Sequence, residues 1–478
     1  MLFHSLEFAI FFAIVFVIYW FVVNKNLKLQ NLFLLIASCV FYGWWDWKFL
    51  SLIFISIIVD YLVGLQMYKE EDRKRRKYWL WVSLGVNLGM LGFFKYYNFF
   101  VDSFVGAFGA VGVDLNIRTL SIILPVGISF YTFQTLSYTI DIYRKKLKPT
   151  EDFINFAAFV SFFPQLVAGP IERASKLLPQ IEKPRTFDYE QAKDGLRQML
   201  WGFFKKIAIA DVCGQYVDYI FLNYETLGPG ILFLGALLFL FQIYGDFSGY
   251  SDIAIGTAKI FGIRLMVNFA YPFFARDFVE FWQRWHISMI RWFIDYLGLA
   301  LGGSGGKMWR RYMNFIIIFT ISGLWHGATW SFVVFGFVHG LLMCWSYWRR
   351  RKWKIRYTRV MAQGKNLPSL SEFSFSSFTL CIGALTAVFF RAGSIGDAFS
   401  YMSKIFWDFG ARTMPIGWDI PLLVLGLLAF EWGNRMKEHP LQFEKFGRTE
   451  RLLTYFVLIY LCVIYFDTNY SSFIYFQF

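Results

Sequence analysis

Apolar residues occur in long runs that follow one another along almost the whole chain, with short polar stretches between them. Examples are residues 6–23, 79–94, 228–244 and 315–342. About 20 apolar residues let a helix cross a bilayer, because each residue adds about 1.5 Å and the hydrocarbon layer is about 30 Å thick. The pattern therefore predicts an all-α polytopic membrane protein with roughly 10–13 spanning or re-entrant helices.

The composition agrees with this interpretation. Of the 478 residues, 57% are hydrophobic and only 17% are charged, whereas soluble domains carry roughly 25% charged residues. A soluble all-α protein is therefore a poor alternative. The first apolar run has no Lys or Arg before it and no small-residue cleavage site after it, so we interpret it as a retained helix rather than a signal peptide.

Positive charge is gathered in a few short segments. The net charge is +14, and basic residues cluster at 25–28, 69–77, 144–148 and 349–359. Cytoplasmic loops of membrane proteins are enriched in Lys and Arg, so these clusters indicate such loops and a lipid bilayer as partner, not nucleic acid. The number of apolar runs between the clusters predicts that both termini lie on the extracytoplasmic side.

The chain has no flexible linker, low-complexity segment or internal repeat, so residues 1–478 are predicted to form a single membrane-embedded domain. Two regions differ from simple spanning helices. Residues 161–176 contain two prolines and a glycine, and residues 268–306 mix aromatic with charged side chains. Irregular backbone is tolerated at membrane depth only inside protein or beside a water-filled cavity. Both regions are therefore predicted to line an internal passage.

His326 is the strongest catalytic prediction. It lies within the apolar run 315–342, between Gly323 and Gly327, where an ionisable side chain costs about 2.5–3.5 kcal/mol or more. Glycines allow a substrate or another helix to approach the imidazole closely. An imidazole can accept a proton near neutral pH, which suits a general base. A buried histidine that only bonds two helices together is an equally good interpretation.

Other polar side chains could assist. His286, next to Arg284, lies in an aromatic and basic stretch that could line the same passage or lie at the membrane surface. Asp246, Ser248 and Asp252 follow an apolar run and are predicted to fix neighbouring helices or to orient a histidine. His339 is expected to have a packing role.

No metal site is predicted. The five cysteines are far apart and form no C-x-x-C pair, and no two histidines are spaced as ligands on one helix face.

Five segments form a specific combination: P-V-G-I-S-F-Y-T-F-Q (125–134), F-F-P-Q-L-V-A-G-P-I (162–171), Y-G-D-F-S-G-Y-S-D-I-A-I-G (244–256), F-W-Q-R-W-H-I-S (281–288) and G-L-W-H-G-A (323–328). Together they resemble the membrane-bound O-acyltransferases, and within that family the bacterial branch that contains the membrane subunit of alginate O-acetylation. The resemblance implies helices around a central tunnel. It also implies that His326 is the principal catalytic residue, and that His286 lies near the cytoplasmic mouth where the acyl donor enters.

The resemblance further implies an activity and its partners. The donor would be acetyl-CoA or another acyl thioester, and the protein would lie in the bacterial cytoplasmic membrane. An extracytoplasmic SGNH-hydrolase-like transferase would pass the acetyl group to a polysaccharide. Trp325, in the same motif as His326, would line the tunnel or orient its contents.

The chain departs from the branch pattern at four positions. Arg, Ser, Arg and Pro are expected there, and this chain has Gln283, Ile290, Ile294 and Ala300. These departures leave the identity of the anionic donor or acceptor open.

The chain ends in an aromatic segment, F-I-Y-F-Q-F, at residues 473–478. It resembles the F-L-Y-R-E-F end of the small protein that accompanies the teichoic-acid D-alanylation member of the family, in which the tyrosine is thought to receive the acyl group. Tyr475 is therefore a hypothetical acyl carrier. The alternative is an aromatic anchor at the membrane interface, a common role for Tyr and Phe.

Two other functions stay open on the sequence alone. One is direct acylation of a lipid, peptide or small alcohol. The other is a transporter or channel, which would share buried histidines and broken helices but should show related halves.

Overall fold

The computed structural model describes residues 1–478 except 116, 118, 168, 304, 306, 409–412, 415, 444–445, 468–472 and 475–478. The chain divides into two compact units. The first contains Met1–Gly195 and Thr257–Met266, and the second contains Leu196–Gly256 and Val267–Phe478. The prediction of a single domain stays a prediction.

The first unit consists of helices joined by turns and loops. In chain order these are α1 (Leu6–Val17), α2 (Leu27–Asp46), α3 (Leu50–Lys69), α4 (Arg73–Leu91), α5 (Tyr97–Ala110), α6 (Ile128–Tyr143), α7 (Phe153–Ser161), α8 (Phe163–Leu166), α9 (Ala174–Ile181) and α10 (Tyr189–Phe204), the last of which runs into the second unit. Short π-helical segments continue α1 and α4, over Ile18–Val22 and Gly92–Tyr96, and a 3₁₀ turn over Trp47–Phe49 joins α2 to α3.

The second unit is also helical. Its elements are a π-helical segment (Lys205–Asp211), α11 (Val212–Leu222), α12 (Pro229–Ile260, shared with the first unit), a 3₁₀ turn (Pro272–Phe274), α13 (Phe278–Arg284), α14 (Ile287–Trp292), a π-helical segment (Phe293–Gly298), α15 (Met308–His326), α16 (Trp330–Lys352), α17 (Leu370–Arg391), α18 (Ile395–Trp407), α19 (Asp419–Asn434) and α20 (Arg448–Ile464).

The all-α prediction is confirmed for the described residues, which form no extended strand. By length and composition, four helical stretches in this part of the chain can cross a membrane: Leu27–Lys69, Pro229–Ile260, Trp330–Lys352 and Leu370–Arg391. A shorter apolar helix covers Leu6–Val22. The expected total of spanning or re-entrant helices stays a prediction.

Both regions predicted to be irregular are broken into short pieces. Residues 161–176 contain the four-residue helix α8 and the start of α9, separated by a turn. Residues 268–306 contain a 3₁₀ turn, α13, α14 and a π-helical segment instead of one long helix. Asp277 begins α13, because its side chain accepts a hydrogen bond from the backbone N–H of Glu280 at 3.0 Å. The predicted irregularity is confirmed, whereas the passage stays a prediction.

The apolar run 315–342 forms two helices, α15 and α16, which fold back on each other. Close backbone approach holds this hairpin together. A side-chain carbon at Gly340 would come within 2.8 Å of Cα of Ile316, and one at Gly323 would collide with the carbonyl oxygen of Phe332. The glycines beside His326 therefore accommodate a neighbouring helix. Consequently His326 is the last residue of a helix and does not lie in the middle of one.

A second close approach joins the end of α10 and the following π-helical segment to α12. A side-chain carbon at Gly202 would lie 2.6 Å from the carbonyl oxygen of Gly249, and one at Gly245 would lie 2.8 Å from that of Lys205. Because the two backbones touch, the side chains beside these glycines face one another at short range. Two lysines thereby meet the carboxylates of α12.

Candidate functional site

The structure brings His286 and His326 together. Their ring centroids are 6.2 Å apart, and both side chains are buried. They reach this position from different elements, since His326 ends α15 and His286 immediately precedes α14. His286 has no exposed surface, so its side chain faces the interior of the protein. Whether it lines a passage or lies level with the membrane surface stays a prediction.

The backbone of His286 is in the left-handed region, with φ 44° and ψ 50°. This conformation is costly for a residue with a side chain, of order 1–3 kcal/mol, and strain of this kind clusters at functional sites. Asn268 holds the turn, because its carbonyl oxygen accepts from the N–H of Ile287 at 2.9 Å and its side chain accepts from the Ser288 hydroxyl at 2.9 Å. Neither ring nitrogen of His286 has a hydrogen-bond partner within the described part of the chain. The turn therefore presents an imidazole with both nitrogens uncommitted within the described structure.

Aromatic rings surround the two histidines. Trp325 lies against both, with centroid distances of 5.7 Å to His286 and 5.0 Å to His326. Phe247 packs against His286 at 4.6 Å, and Phe390 packs against His326 at 5.3 Å. The imidazoles thus lie in an apolar environment, where electrostatic interactions with a substrate are stronger than in water.

The predicted polar residues of α12 form a separate cluster with two lysines. Asp252 pairs with Lys205 at 2.6 Å, and the same ammonium group donates to the Ser248 hydroxyl at 2.8 Å. Asp246 pairs with Lys206 at 2.8 Å, and Lys206 also pairs with Asp211 at 2.7 Å. The alternative that these side chains fix neighbouring elements agrees with these contacts, because the described partners of Asp246 and Asp252 do not include a histidine.

Arg284 belongs to a buried network beside the turn that carries His286. Its guanidinium pairs with Glu280 at 2.8 Å and donates to the carbonyl oxygens of Ala270 and Arg359, at 3.0 and 2.7 Å. Glu280 also pairs with Arg276 at 2.9 Å. Burial would raise the pKa of Glu280, but the hydrogen bonds and positive charges of Arg276 and Arg284 outweigh burial and hold this pKa below its ordinary value. Arg284 therefore fixes backbone around the site.

His339 has the packing role expected of it. Its Nδ1 accepts a hydrogen bond from the Trp282 indole at 3.2 Å, and its Nε2 lies 3.1 Å from the Thr386 hydroxyl. Thr386 donates its own proton to the carbonyl oxygen of Gly383 at 2.9 Å, so it accepts from Nε2–H of His339. Both nitrogens of this imidazole are engaged by protein groups.

A small cavity of about 30 Å³ lies beside His326. It is lined by Leu240, Ile243, Phe281, Trp282, Trp285, His326, Phe335, His339, Gly383, Ala387 and Phe390. Apart from the two histidines, these residues are apolar. The catalytic prediction for His326 therefore coincides with a space that opens onto its side chain.

Tyr475 lies outside the described residues, but the two residues before it are described. Phe473 is buried, and its ring packs against Tyr250 and Phe247 at centroid distances of 4.5 and 6.1 Å. The N–H of Ile474 donates to the Asp246 carboxylate at 2.6 Å. The end of the described chain is thus anchored to the same helix, α12, that contacts His286 through Phe247.

Sequence reasoning missed several buried charges. Lys205, Lys206 and Glu431 were not singled out, although Lys205 and Lys206 pair with the predicted carboxylates and Glu431 accepts from the Tyr244 hydroxyl at 2.6 Å. Two adjacent lysines between apolar residues are a usable signal, because each would be costly to bury without a partner. Among the described residues, no group of three or more His, Cys, Asp or Glu side chains could hold a metal ion.

Comparison with known proteins gives consistent matches. The family model described as MBOAT, membrane-bound O-acyltransferase family, matches residues 147–388, which include His286 and His326. The chain is 38% identical over 389 residues to a probable alginate O-acetylase of Azotobacter vinelandii, which covers 81% of this chain and 74% of the relative.

Two further relatives extend this result. The probable alginate O-acetylase of Pseudomonas putida is 41% identical over 316 residues, or 66% of this chain and 64% of the relative. The peptidoglycan O-acetyltransferase of Helicobacter pylori is 34% identical over 404 residues, or 78% of this chain and 73% of the relative. The chain thus spans about two thirds to three quarters of the length of these relatives.

Proposed function

Because this chain belongs to the membrane-bound O-acyltransferase family, we propose that it moves an acetyl group from a cytoplasmic thioester to an acceptor hydroxyl on the other side of the membrane. The observation that carries the proposal is the pair of buried imidazoles, 6.2 Å apart, in an aromatic environment. A transporter or channel is set aside, because the family consists of acyltransferases.

His326 acts as the general base in this proposal. Its imidazole accepts the proton of the acceptor hydroxyl while the hydroxyl oxygen attacks the thioester carbon. The new C–O bond forms, the C–S bond breaks, and the departing sulfur takes the proton from the imidazolium, which leaves an ester and a thiol. Proton transfer of this kind contributes about 10²–10⁴-fold in rate, and positioning of the reactants can contribute more.

His286 complements His326 by donating a hydrogen bond to the thioester carbonyl oxygen. A neutral imidazole carries one N–H, and this ring has both nitrogens uncommitted within the described structure. A reacting carbon has to lie about 3 Å from both the base and the donor, which the spacing of the two rings allows. A donor held ready in a site that excludes water stabilises the negative charge that develops on the oxygen.

Acetyl-CoA is the proposed donor, and a polysaccharide is the proposed final acceptor. The names of the relatives support acetyl transfer to a polysaccharide or to peptidoglycan. We also propose the bacterial cytoplasmic membrane as location, with both termini extracytoplasmic, and an SGNH-hydrolase-like transferase outside as partner. The distribution of basic residues supports this orientation.

Tyr475 is proposed to carry the acetyl group between the histidine pair and that partner. Two contacts support this role, the burial of Phe473 against α12 and the hydrogen bond from Ile474 to Asp246. They anchor the chain one residue before Tyr475, close to the ring that packs on His286. The phenol would receive the acetyl group as an ester and then release it to the second acceptor.

The central experiment follows label from radioactive acetyl-CoA after incubation with the purified full chain in lipid nanodiscs. We expect covalent label on the wild-type chain and a fall of about 10²-fold or more for His326→Ala. His4→Ala, which changes a histidine of the first unit, serves as the matched control and should label like the wild type. Undiminished labelling of His326→Ala would refute the assignment of the base.

The same experiment tests the carrier. Tyr475→Phe removes only the phenolic oxygen, so it should abolish the covalent label while leaving the unfolding temperature unchanged. Label that moves to lipid or to an added small alcohol in this variant would instead support direct acylation. A Tyr475→Phe chain labelled as strongly as the wild type would exclude the relay.

A further inference from the structure

The cavity beside His326 is small and has an unusual wall. Its volume of about 30 Å³ would hold about two or three water-sized groups, because one such group needs roughly 10–15 Å³. An acetyl group has three non-hydrogen atoms, which is comparable. A longer acyl chain would exceed this volume unless the lining moved.

Part of the wall is backbone. Gly383 and Ala387 lie one turn apart on α17, and both line the cavity. A side-chain carbon at Gly383 would lie 3.7 Å from Leu240, an ordinary contact distance, so a methyl group fits there without a clash. Small residues at this position therefore leave space that a single methyl group would reduce.

Another part of the wall consists of packed aromatic rings. Phe335 packs between His339 and Phe390, with centroid distances of 4.4 and 5.5 Å. His339 is held by Trp282 and Thr386, so it cannot rotate without breaking two hydrogen bonds. Its nitrogens are also unavailable to a ligand, which leaves His326 as the imidazole that can act on a group in the cavity.

We propose that this cavity receives the acyl group of the donor, and that Gly383 and Phe335 set the upper limit on its length at about that of acetyl. Such a limit presupposes the acyl transfer proposed for this site. The reacting carbonyl would lie beside His326, and the apolar end of the acyl group would lie between Gly383 and Phe335. The chemical class is a short-chain acyl thioester, presented on CoA or on the pantetheine arm of a carrier protein.

Binding of S-acyl pantetheines tests the proposal without the acceptor or turnover, because both donor classes share the pantetheine arm. The full chain with His326→Gln is titrated with the acetyl, propionyl, butyryl and hexanoyl thioesters and with free pantetheine. Affinity is obtained from the rise in unfolding temperature with ligand concentration. We expect the acetyl thioester to bind best and affinity to fall about tenfold or more once the chain exceeds the cavity, since one excess methylene is worth about 10–200-fold.

Two variants in the same background move the limit in opposite directions. Gly383→Ala should lower the ratio of propionyl to acetyl affinity about tenfold, and Phe335→Leu should raise the ratio of butyryl to acetyl affinity by a similar factor. Gly426→Ala is the matched control, because a side-chain carbon there meets no atom within 4 Å on the exposed face of α19. It should keep the parent ratios.

Each result decides a different question. Equal affinities for acetyl and hexanoyl thioesters, or ratios unchanged in both variants, would overturn the length limit while leaving acyl transfer intact. If none of the thioesters raises the unfolding temperature, the proposed thioester chemistry itself fails. If the thioesters bind, the affinities of acetyl-CoA and of an acetylated carrier protein are compared, and the tighter ligand identifies the source of the pantetheine arm.

Discussion

Two buried regions of the second unit differ sharply in how their polar groups are satisfied. The histidine centre, made of His286, Trp325 and His326, is packed against aromatic rings. The lysine cluster, made of Lys205, Lys206, Asp211, Asp246 and Asp252, is held by ion pairs of 2.6–2.8 Å. Exposure does not distinguish the two, since His286 and His326 are 0% and 4% exposed and both lysines are 2% exposed.

Partners separate the buried groups that hold the fold from those that do not. A buried charge needs a partner, and each lysine of the cluster has one or two carboxylates. The imidazole of His286 has neither nitrogen committed within the described structure, and its backbone is strained. A buried side chain that is held on strained backbone and has no structural hydrogen-bond partner is suited to take part in a reaction.

The largest effect is expected from breaking the lysine cluster. Lys206→Met removes the cation that Asp211 and Asp246 share, and leaves two carboxylates buried side by side. Breaking a buried pair in this way costs about 3–5 kcal/mol, so the unfolding temperature in detergent should fall steeply. Thermal unfolding of the wild type and the variant measures this loss.

Neutralising the carboxylates provides the control. In Lys206→Met with Asp211→Asn and Asp246→Asn, no uncompensated charge remains, so most of the lost stability should return. If the single and triple variants unfold at the same lower temperature, the cluster stabilises the fold by packing rather than by charge pairing. In that case, the distinction between the two regions would not rest on electrostatics.

A matched pair of histidine variants tests whether His286 has a functional rather than a structural role. His286→Asn relieves strain, because Asn tolerates the left-handed conformation better than most residues, and this gain offsets lost ring packing. We expect little change in stability and a loss of acyl transfer of about 10²–10³-fold, the usual cost of one hydrogen-bond donor to a developing oxyanion. His339→Asn relieves no strain and leaves the Trp282 and Thr386 groups unsatisfied, at about 1–3 kcal/mol each.

Unfolding temperature and transfer per folded molecule are measured for both variants. His339→Asn should unfold at the lower temperature, and His286→Asn should have the larger loss of transfer relative to its loss of stability. If His286→Asn is the less stable of the two, His286 is held by packing and its strain has no functional meaning.

The sequence was sufficient to predict an all-helical chain and the two broken regions, and it singled out the two histidines that the structure brings together. These features depend on local patterns: apolar runs, Pro and Gly inside them, and ionisable residues where lipid-like surroundings are expected. The division of 315–342 into α15 and α16 was not predicted. It depends on contacts between segments, such as the collision that any side chain at Gly327 would have with Phe332.

Pairings between distant residues could not be predicted either. Asp246 and Asp252 were expected to fix neighbouring elements, but their lysine partners lie 40 and 47 residues away along the chain. The left-handed turn at His286 was not predicted either, since histidine adopts other backbone conformations far more often and Asn268, which holds the turn, belongs to an earlier segment of the chain. A sequence pattern identifies which side chains need partners, whereas the fold decides which partners they receive.

The smallest effect concerns the network that fixes the turn before His286. The pKa of Glu280 is held below its ordinary value by Arg276 and Arg284, against the effect of burial. A carboxylate of this kind stabilises the folded state at pH values above its unfolded pKa of about 4.3, and this contribution is lost as the pH falls through the lower, folded pKa. The unfolding temperature should therefore fall between pH 6 and pH 3, in part because this group becomes protonated. Glu280→Gln, which lacks the titrating group, should be less stable at pH 6 and should lose less stability on acidification.

Glu190→Gln is the control, because it changes an exposed glutamate of α10 and should keep the wild-type pH dependence. A Glu280→Gln chain with the wild-type slope would mean that other carboxylates cause the acid sensitivity, and that this network fixes the turn through geometry alone.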